Sequence, residues 1–142
     1  MSTTTPSLRP LTEEARKSMQ RDERLIEHVP YRVGRERRVA LVAGEYRSIE
    51  RRQTSAPPTN ELYLLDVGEK LNVSREHFQI EQEPNGSYVL IDRGSACGTI
   101  VDDQLVGGND QGGRCPLNNG SEIRVGTSSS PYLFEFVIPE SA

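Results

Sequence analysis

The sequence contains no tryptophan, only two cysteines and two histidines, and no long apolar run. Two cysteines cannot build a disulfide framework. Reduced thiols and a cytoplasmic location are expected, with a Cys97–Cys115 bridge disfavoured for that compartment. No stretch approaches the roughly 18 apolar residues of a membrane span. The N-terminus lacks the basic-then-apolar order of a secretory signal, so no membrane partner is expected. Neither sign of charge dominates, since 17 basic against 21 acidic residues leave a net charge of −4. That balance is weak ground for a nucleic-acid partner. Apolar residues make up 34% of the 142 positions, enough for one modest domain with a small core. Nothing in the residues calls for a cofactor or a metal.

What is present is a series of short apolar runs broken by turn signals. Residues 1–10, rich in Ser, Thr and Pro, read as a disordered tail. Its Thr3-Thr4-Thr5-Pro6 run is either a phosphate acceptor or simply a solvating segment. Residues 11–29 read as a helix, with Thr12 as N-cap and Glu13 and Glu14 in the first turn. Leu11, Ala15, Met19 and Ile26, with Leu25 beside them, give one apolar stripe, expected to dock on the domain rather than on a partner. Pro30 ends that pattern. Residues 30–139 then read as a β-sandwich domain.

Within that domain Tyr31-Arg32-Val33 is a short strand ending in Gly34-Arg35. Val39–Ala43 and Tyr46–Glu50 form a hairpin. Arg51–Asn60, with Pro57-Pro58, reads as a mobile loop, and Thr54 within it as either a kinase acceptor or plain loop. Glu61–Leu65 is a strand, and Asp66–Leu71 leads into the loop at Ser74. His77–Glu83 alternates as a half-buried strand does. Pro84-Asn85-Gly86-Ser87 turns it back into Tyr88–Asp92. Thr99–Val101 and Gln104–Val106 make a small hairpin around Asp102-Asp103, followed by a glycine-rich loop over Gly107–Gly113. Leu117–Gly120 turns into Glu122–Gly126, and Tyr132–Ile138 closes the chain. Many short strands at this spacing predict an all-β sandwich.

Four blocks stand at strand ends: Gly34-Arg35, Ser74-Arg75-Glu76-His77, Ser95-Ala96-Cys97-Gly98-Thr99 and Leu117-Asn118-Asn119-Gly120-Ser121-Glu122-Ile123. In order and spacing they resemble the forkhead-associated (FHA) domain over about residues 31–138. The resemblance implies a twisted β-sandwich of the SMAD/FHA type whose loops at one end bind phosphothreonine peptides, without catalytic residues. By matching position, Arg35 pairs with the phosphate, Ser74 donates its hydroxyl and Arg75 supplies a second cationic contact. Ala96 and Cys97 lie where the peptide is held. His77 braces the neighbouring loop, while Gly34 and Gly98 permit backbone geometry that a Cβ would hinder.

These residue types suit that chemistry. A phosphothreonine carries about −1.5 to −2 charges and three acceptor oxygens. An arginine fork answers two oxygens at once, which lysine cannot do. Each charge-assisted bond contributes roughly 1.5–3 kcal/mol net, and a micromolar complex needs about −8 kcal/mol.

Three departures from the family pattern stand out. Cys97 occupies the usual position of an asparagine whose amide grips the peptide backbone, and a thiol is a weak donor and acceptor. Ser48–Asn60 reads as an insertion. Helix takes the place of the family's first strands. Three other functions compete with phosphopeptide binding. Cys97 and His77 could act as nucleophile and base, though with no third orienting group. Arg35, Arg37, Arg38, Arg47, Arg51 and Arg52 could bind nucleic acid, though without a set of stacking aromatics. A scaffold of the same fold could bind a protein without needing phosphate. Self-association through a phosphorylated tail is a further expectation.

Overall fold

Strand alternation sets the architecture, because residues two apart share a face. The computed structural model describes residues 5–35, 60–66, 72–109 and 111–139, together with the backbone of 39–42 and 45–48. The described residues form β1 (Ser7–Pro10), α1 (Glu13–Met19), β2 (Arg24–Leu25), β3 (Tyr31–Arg35), β4 (Val39–Val42) and β5 (Glu45–Ser48). There follow β6 (Leu62–Leu64), β7 (Phe78–Gln82), β8 (Tyr88–Asp92), β9 (Thr99–Val101) and β10 (Gln104–Val106). The last three strands are β11 (Gly113–Leu117), β12 (Ser121–Val125) and β13 (Leu133–Val137).

One sheet runs β10-β9-β12-β13-β1-β2, and the other runs β11-β8-β7-β3-β6. Their inner faces meet in one core. Leu8, Ile123, Phe134 and Phe136 come from the first sheet, and Val33, Leu62, Leu64, Phe78, Ile80 and Leu90 from the second. The twisted β-sandwich expected from the spacing is therefore the fold. The expected hairpin β4–β5 is present, with Val39 opposite Ser48. The turn after β7 has Gly86 N–H donating to Glu83 O at 2.9 Å, with Gly86 at φ 93°. Asp102 and Asp103 both take positive φ, the geometry a two-residue hairpin loop demands.

The N-terminal segment departs from expectation in two ways. Ser7–Pro10 is a strand rather than part of a disordered tail, pairing antiparallel with β13 from Ser7–Val137 to Pro10–Phe134. Leu8 is buried opposite Phe136, and that burial outweighs the tail-like composition. The strand lies ahead of the helix, in residues the sequence assigned to the tail. The helix itself stops at Met19 rather than near residue 28, because Gln20 turns left-handed (φ 61°) with its N–H on Arg16 O. The chain then pairs back on β1 as β2. Thr12 is the N-cap, accepting from Ala15 N at 3.1 Å. Ala15 and Met19 dock on the sandwich, but Leu11 and Leu25 are 43% and 50% exposed, so the stripe is shorter than predicted. β11 is a further strand inside the stretch left between the glycine-rich loop and the Asn118 turn. Pro116 sits on the sheet edge there, where a missing N–H costs little.

Gly44, Arg37, Arg38 and the Arg51–Thr59 part of the expected loop lie outside the described residues, as do Thr3, Thr4 and Thr54. Asn60, the last residue of that expected mobile loop, is 9% exposed and firmly bonded.

Candidate functional site at one end of the sandwich

The C-terminal end of β3, the N-terminal ends of β7 and β9 and the C-terminal end of β8 all reach the same end of the sandwich. His77 ties their loops together. Its Nδ1 accepts from Ser74 N–H at 2.9 Å, and its Nε2 donates to Gly98 O at 2.7 Å. The two bonds require the neutral tautomer with the proton on Nε2. The ring is 0% exposed, and burial pulls its pKa below the ordinary 6.5, against opposing pulls from the Gly98 bond, Asp92 and Asp66. His77 thus links the Ser74 loop to the Gly98 loop.

That geometry carries a pH dependence. The folded-state pKa is depressed, so the unfolded chain takes up the proton first. The contribution is full above pH 6.5 and is lost as pH falls from there through the folded-state value. Denaturant unfolding of the wild type should lose up to about 1.4 kcal/mol per pH unit in that window. His77→Gln, though less stable overall, should lack this component of the slope. An identical slope in the two proteins would mean that His77 does not govern the dependence.

Asp92 anchors the second loop. Its Oδ1 accepts from Gly94 N (2.9 Å) and Ser95 N (2.8 Å). Its Oδ2 accepts from Ser95 Oγ (2.6 Å) and Thr99 Oγ1 (2.8 Å). Ser95 Oγ in turn accepts from Gly98 N–H at 2.9 Å. This buried knot holds Ala96, whose N–H donates to Ser74 Oγ at 3.0 Å. Since the Ser74 oxygen already accepts there, its hydroxyl proton is left to point toward another acceptor.

Arg35 lies against the same loop. Its N–H donates to Ser74 O (2.9 Å) and its Nε to Val73 O (3.0 Å). The residue is 6% exposed, a deeply seated cation. Gly34 lets the loop approach, because a Cβ there would sit 1.9 Å from Arg75 O. The same carbonyl accepts from Asn60 Nδ2 at 2.9 Å, and Asn60 Oδ1 accepts from Arg93 Nη1 at 2.8 Å. Asp66, 0% exposed, accepts from Asn72 N (2.6 Å), Val73 N (2.9 Å) and Tyr132 Oη (3.1 Å), holding the run into Ser74.

Arg35, Ser74, Arg75 and Ala96 therefore meet at one rim, with Gly34, His77 and Gly98 behind them. Cys97 follows Ala96 directly and is half-buried. Burial, then Asp66, pushes its pKa up, the opposite of an activated nucleophile. Both nitrogens of His77 are engaged, so the two residues do not form a nucleophile–base pair. Sequence reasoning missed Asp92, Asp66 and Asn60. A carboxylate or amide at a strand end looks like solvated surface unless its backbone partners are known. Among the described residues no His/Cys/Asp/Glu group could hold a metal, and no helix is long and apolar enough to cross a membrane.

Comparison with known proteins agrees with this geometry. The family model described as FHA domain matches residues 31–126. Among solved structures, the FHA domain of the CT664 protein from Chlamydia trachomatis is 18% identical, with a TM-score of 0.56 over 96% of this chain and 100% of that one. The FHA domain of an Arabidopsis thaliana hypothetical protein is 20% identical, with a TM-score of 0.54 over 99% and 92%. An engineered FHA domain with a Myc-pTBD peptide is 19% identical, with a TM-score of 0.57 over 98% and 94%. At such identities the structural likeness bears on the fold. A search of curated proteins returned no match.

Proposed function

We propose that this chain, which belongs to the FHA domain family, is a phosphothreonine-dependent peptide-binding module acting in Ser/Thr kinase signalling in the cytoplasm. FHA domains are in general phosphopeptide-binding interaction modules rather than enzymes, and one of the similar structures carries a peptide. The observation that carries the finer reading is the contact of Arg35 and Ala96 with the same serine. Arg35 N–H reaches Ser74 O, and Ala96 N–H reaches Ser74 Oγ. The guanidinium, bonded through Nε to Val73 O, and the turned hydroxyl of the next residue suit a dianionic ester. Arg75 adds a second cation beside them. Ala96 and Cys97 line the adjoining peptide path.

The phosphate-independent scaffold is kept as the second reading. The thiol at Cys97 and the deep seating of Arg35 favour it. Calorimetric titration with one peptide in phosphothreonine and plain threonine forms separates the two. The phosphothreonine reading expects micromolar binding that weakens about a hundredfold or more without the phosphate, through loss of two charge-assisted bonds. Equal affinities would select the scaffold.

Occupation of the rim by a phosphorylated Thr3, Thr4 or Thr5, from the same chain or from a neighbouring copy, belongs to this reading.

A further inference from the structure

We propose that Asn109 supplies the primary amide that holds the backbone of a bound peptide, the task for which the thiol at Cys97 is unsuited. The inference rests on the phosphopeptide reading and names a residue that the sequence comparison with the family does not single out.

The loop between β10 and β11 is packed directly on the Ser95–Thr99 loop. Asn109 N–H donates to Ala96 O at 3.0 Å. A Cβ built on Gly98 would lie 3.0 Å from Gly107 O and 3.5 Å from Gly108 Cα. Gly108 and Gln111 exchange both backbone bonds, at 2.9 and 3.0 Å, which closes a narrow turn around Asn109. Asn109 itself is left-handed, φ 54°, and exposed. Its side chain makes no hydrogen bond with another described residue. Asparagine tolerates that backbone region better than other non-glycine residues.

Three consecutive supports thus stand in line: Ser74, Ala96 and Asn109. The first two are joined by the Ala96 N–H bond to Ser74 Oγ, and the last two by the Asn109 N–H bond to Ala96 O. Two hydrogen bonds and one residue span on the order of 9 Å at most, about three residues of extended chain. A peptide whose phosphothreonine sits at Arg35 and Ser74, and which runs on past Ala96, comes within reach of Asn109 in two or three residues. A carboxamide has both a donor and an acceptor, so it can answer the N–H and C=O that an extended peptide presents. Cys97, between these supports, has only a weak donor and acceptor, and its half-buried position further limits it.

The test uses the full chain and a phosphothreonine peptide selected from an oriented library. Asn109→Gly keeps the left-handed backbone and removes only the amide. It should bind that peptide about tenfold more weakly, the loss of one or two neutral hydrogen bonds. Free phosphothreonine should bind Asn109→Gly and wild type equally. A scan of peptides methylated at single backbone nitrogens adds a positional readout. One position should weaken wild type while leaving Asn109→Gly unaffected. Wild-type affinity in Asn109→Gly, with Arg35→Ala inactive, overturns this proposal alone. No phosphopeptide binding by the wild type overturns the underlying reading as well.

Discussion

Arg35→Lys is expected to bind a phosphothreonine peptide at least about a hundredfold more weakly than wild type while remaining folded. The charge survives in this variant, so the loss reports geometry. Arg35 is 6% exposed, and its Nε bond to Val73 O fixes the plane of the guanidinium. A fork held in a fixed plane can meet two phosphate oxygens without further ordering. A lysine ammonium has no such plane and meets the phosphate as a point charge. Losing two charge-assisted bonds removes about 3–6 kcal/mol, of which lysine's single contact restores a part. Loss of the bond to Val73 O should lower folding stability by about 1 kcal/mol. The plain peptide should bind both proteins alike. Calorimetry with both peptides, alongside denaturant unfolding, checks the result. Undiminished phosphopeptide affinity in Arg35→Lys would exclude a guanidinium fork.

The second large effect concerns stability. Asp92→Ala should lose about 3–5 kcal/mol, because it strands donors of a buried network at once. Ser95 and Thr99 are 0% exposed, so water does not readily replace the lost carboxylate. Asp92→Asn should lose far less, about 1–2 kcal/mol. Its oxygen can keep the Gly94 and Ser95 amides that Oδ1 now holds. Its NH2 can face Ser95 Oγ and Thr99 Oγ1, whose hydroxyls rotate to accept. Since a domain of this size has about 5–15 kcal/mol in total, the alanine variant should show a clearly lowered denaturant midpoint. Its phosphopeptide binding should weaken too, because the same knot positions Ala96 on Ser74. Equal loss in the two variants would mean that the carboxylate's charge, not the hydrogen bonds an amide can keep, sets the effect.

The sandwich was legible because Phe78 and Ile80 alternate with polar neighbours, because Leu133–Val137 is a short, mostly apolar run, and because Asn85-Gly86 and Asp102-Asp103 mark turns. Arg35 ends β3, Gly98 directly precedes β9 and Ser74 lies in the run before β7, so the sequence marked each of them as a residue at or near a strand end. β1 was not legible. Ser7-Leu8-Arg9-Pro10 has one apolar side chain, and only the neighbouring edge of β13 makes it a strand. The length of α1 was misread for a related reason. Leu25 and Ile26 continue a helical spacing, yet pairing of Ser7 with Leu25 draws that segment into a sheet. Asp92 and Asp66 were hidden because a carboxylate's value here lies in backbone amides, which sequence does not display. Asn109 was hidden because its nearness to Ala96 arises from the packing of two loops, not from spacing along the chain.

The claim that one rim receives a phosphorylated side chain is tested most directly by amide chemical-shift mapping. The isotope-labelled chain is titrated with the phosphothreonine peptide and, separately, with its plain counterpart. The account predicts that the phosphorylated form moves the backbone amides of Arg35, Ser74, Arg75 and Ala96 together. Those at the opposite end, around Asn85 and Asn119, should stay still, and the plain form should leave all of them nearly unmoved. Shifts of equal size with both peptides, or shifts centred on Asn85 and Asn119, would contradict it.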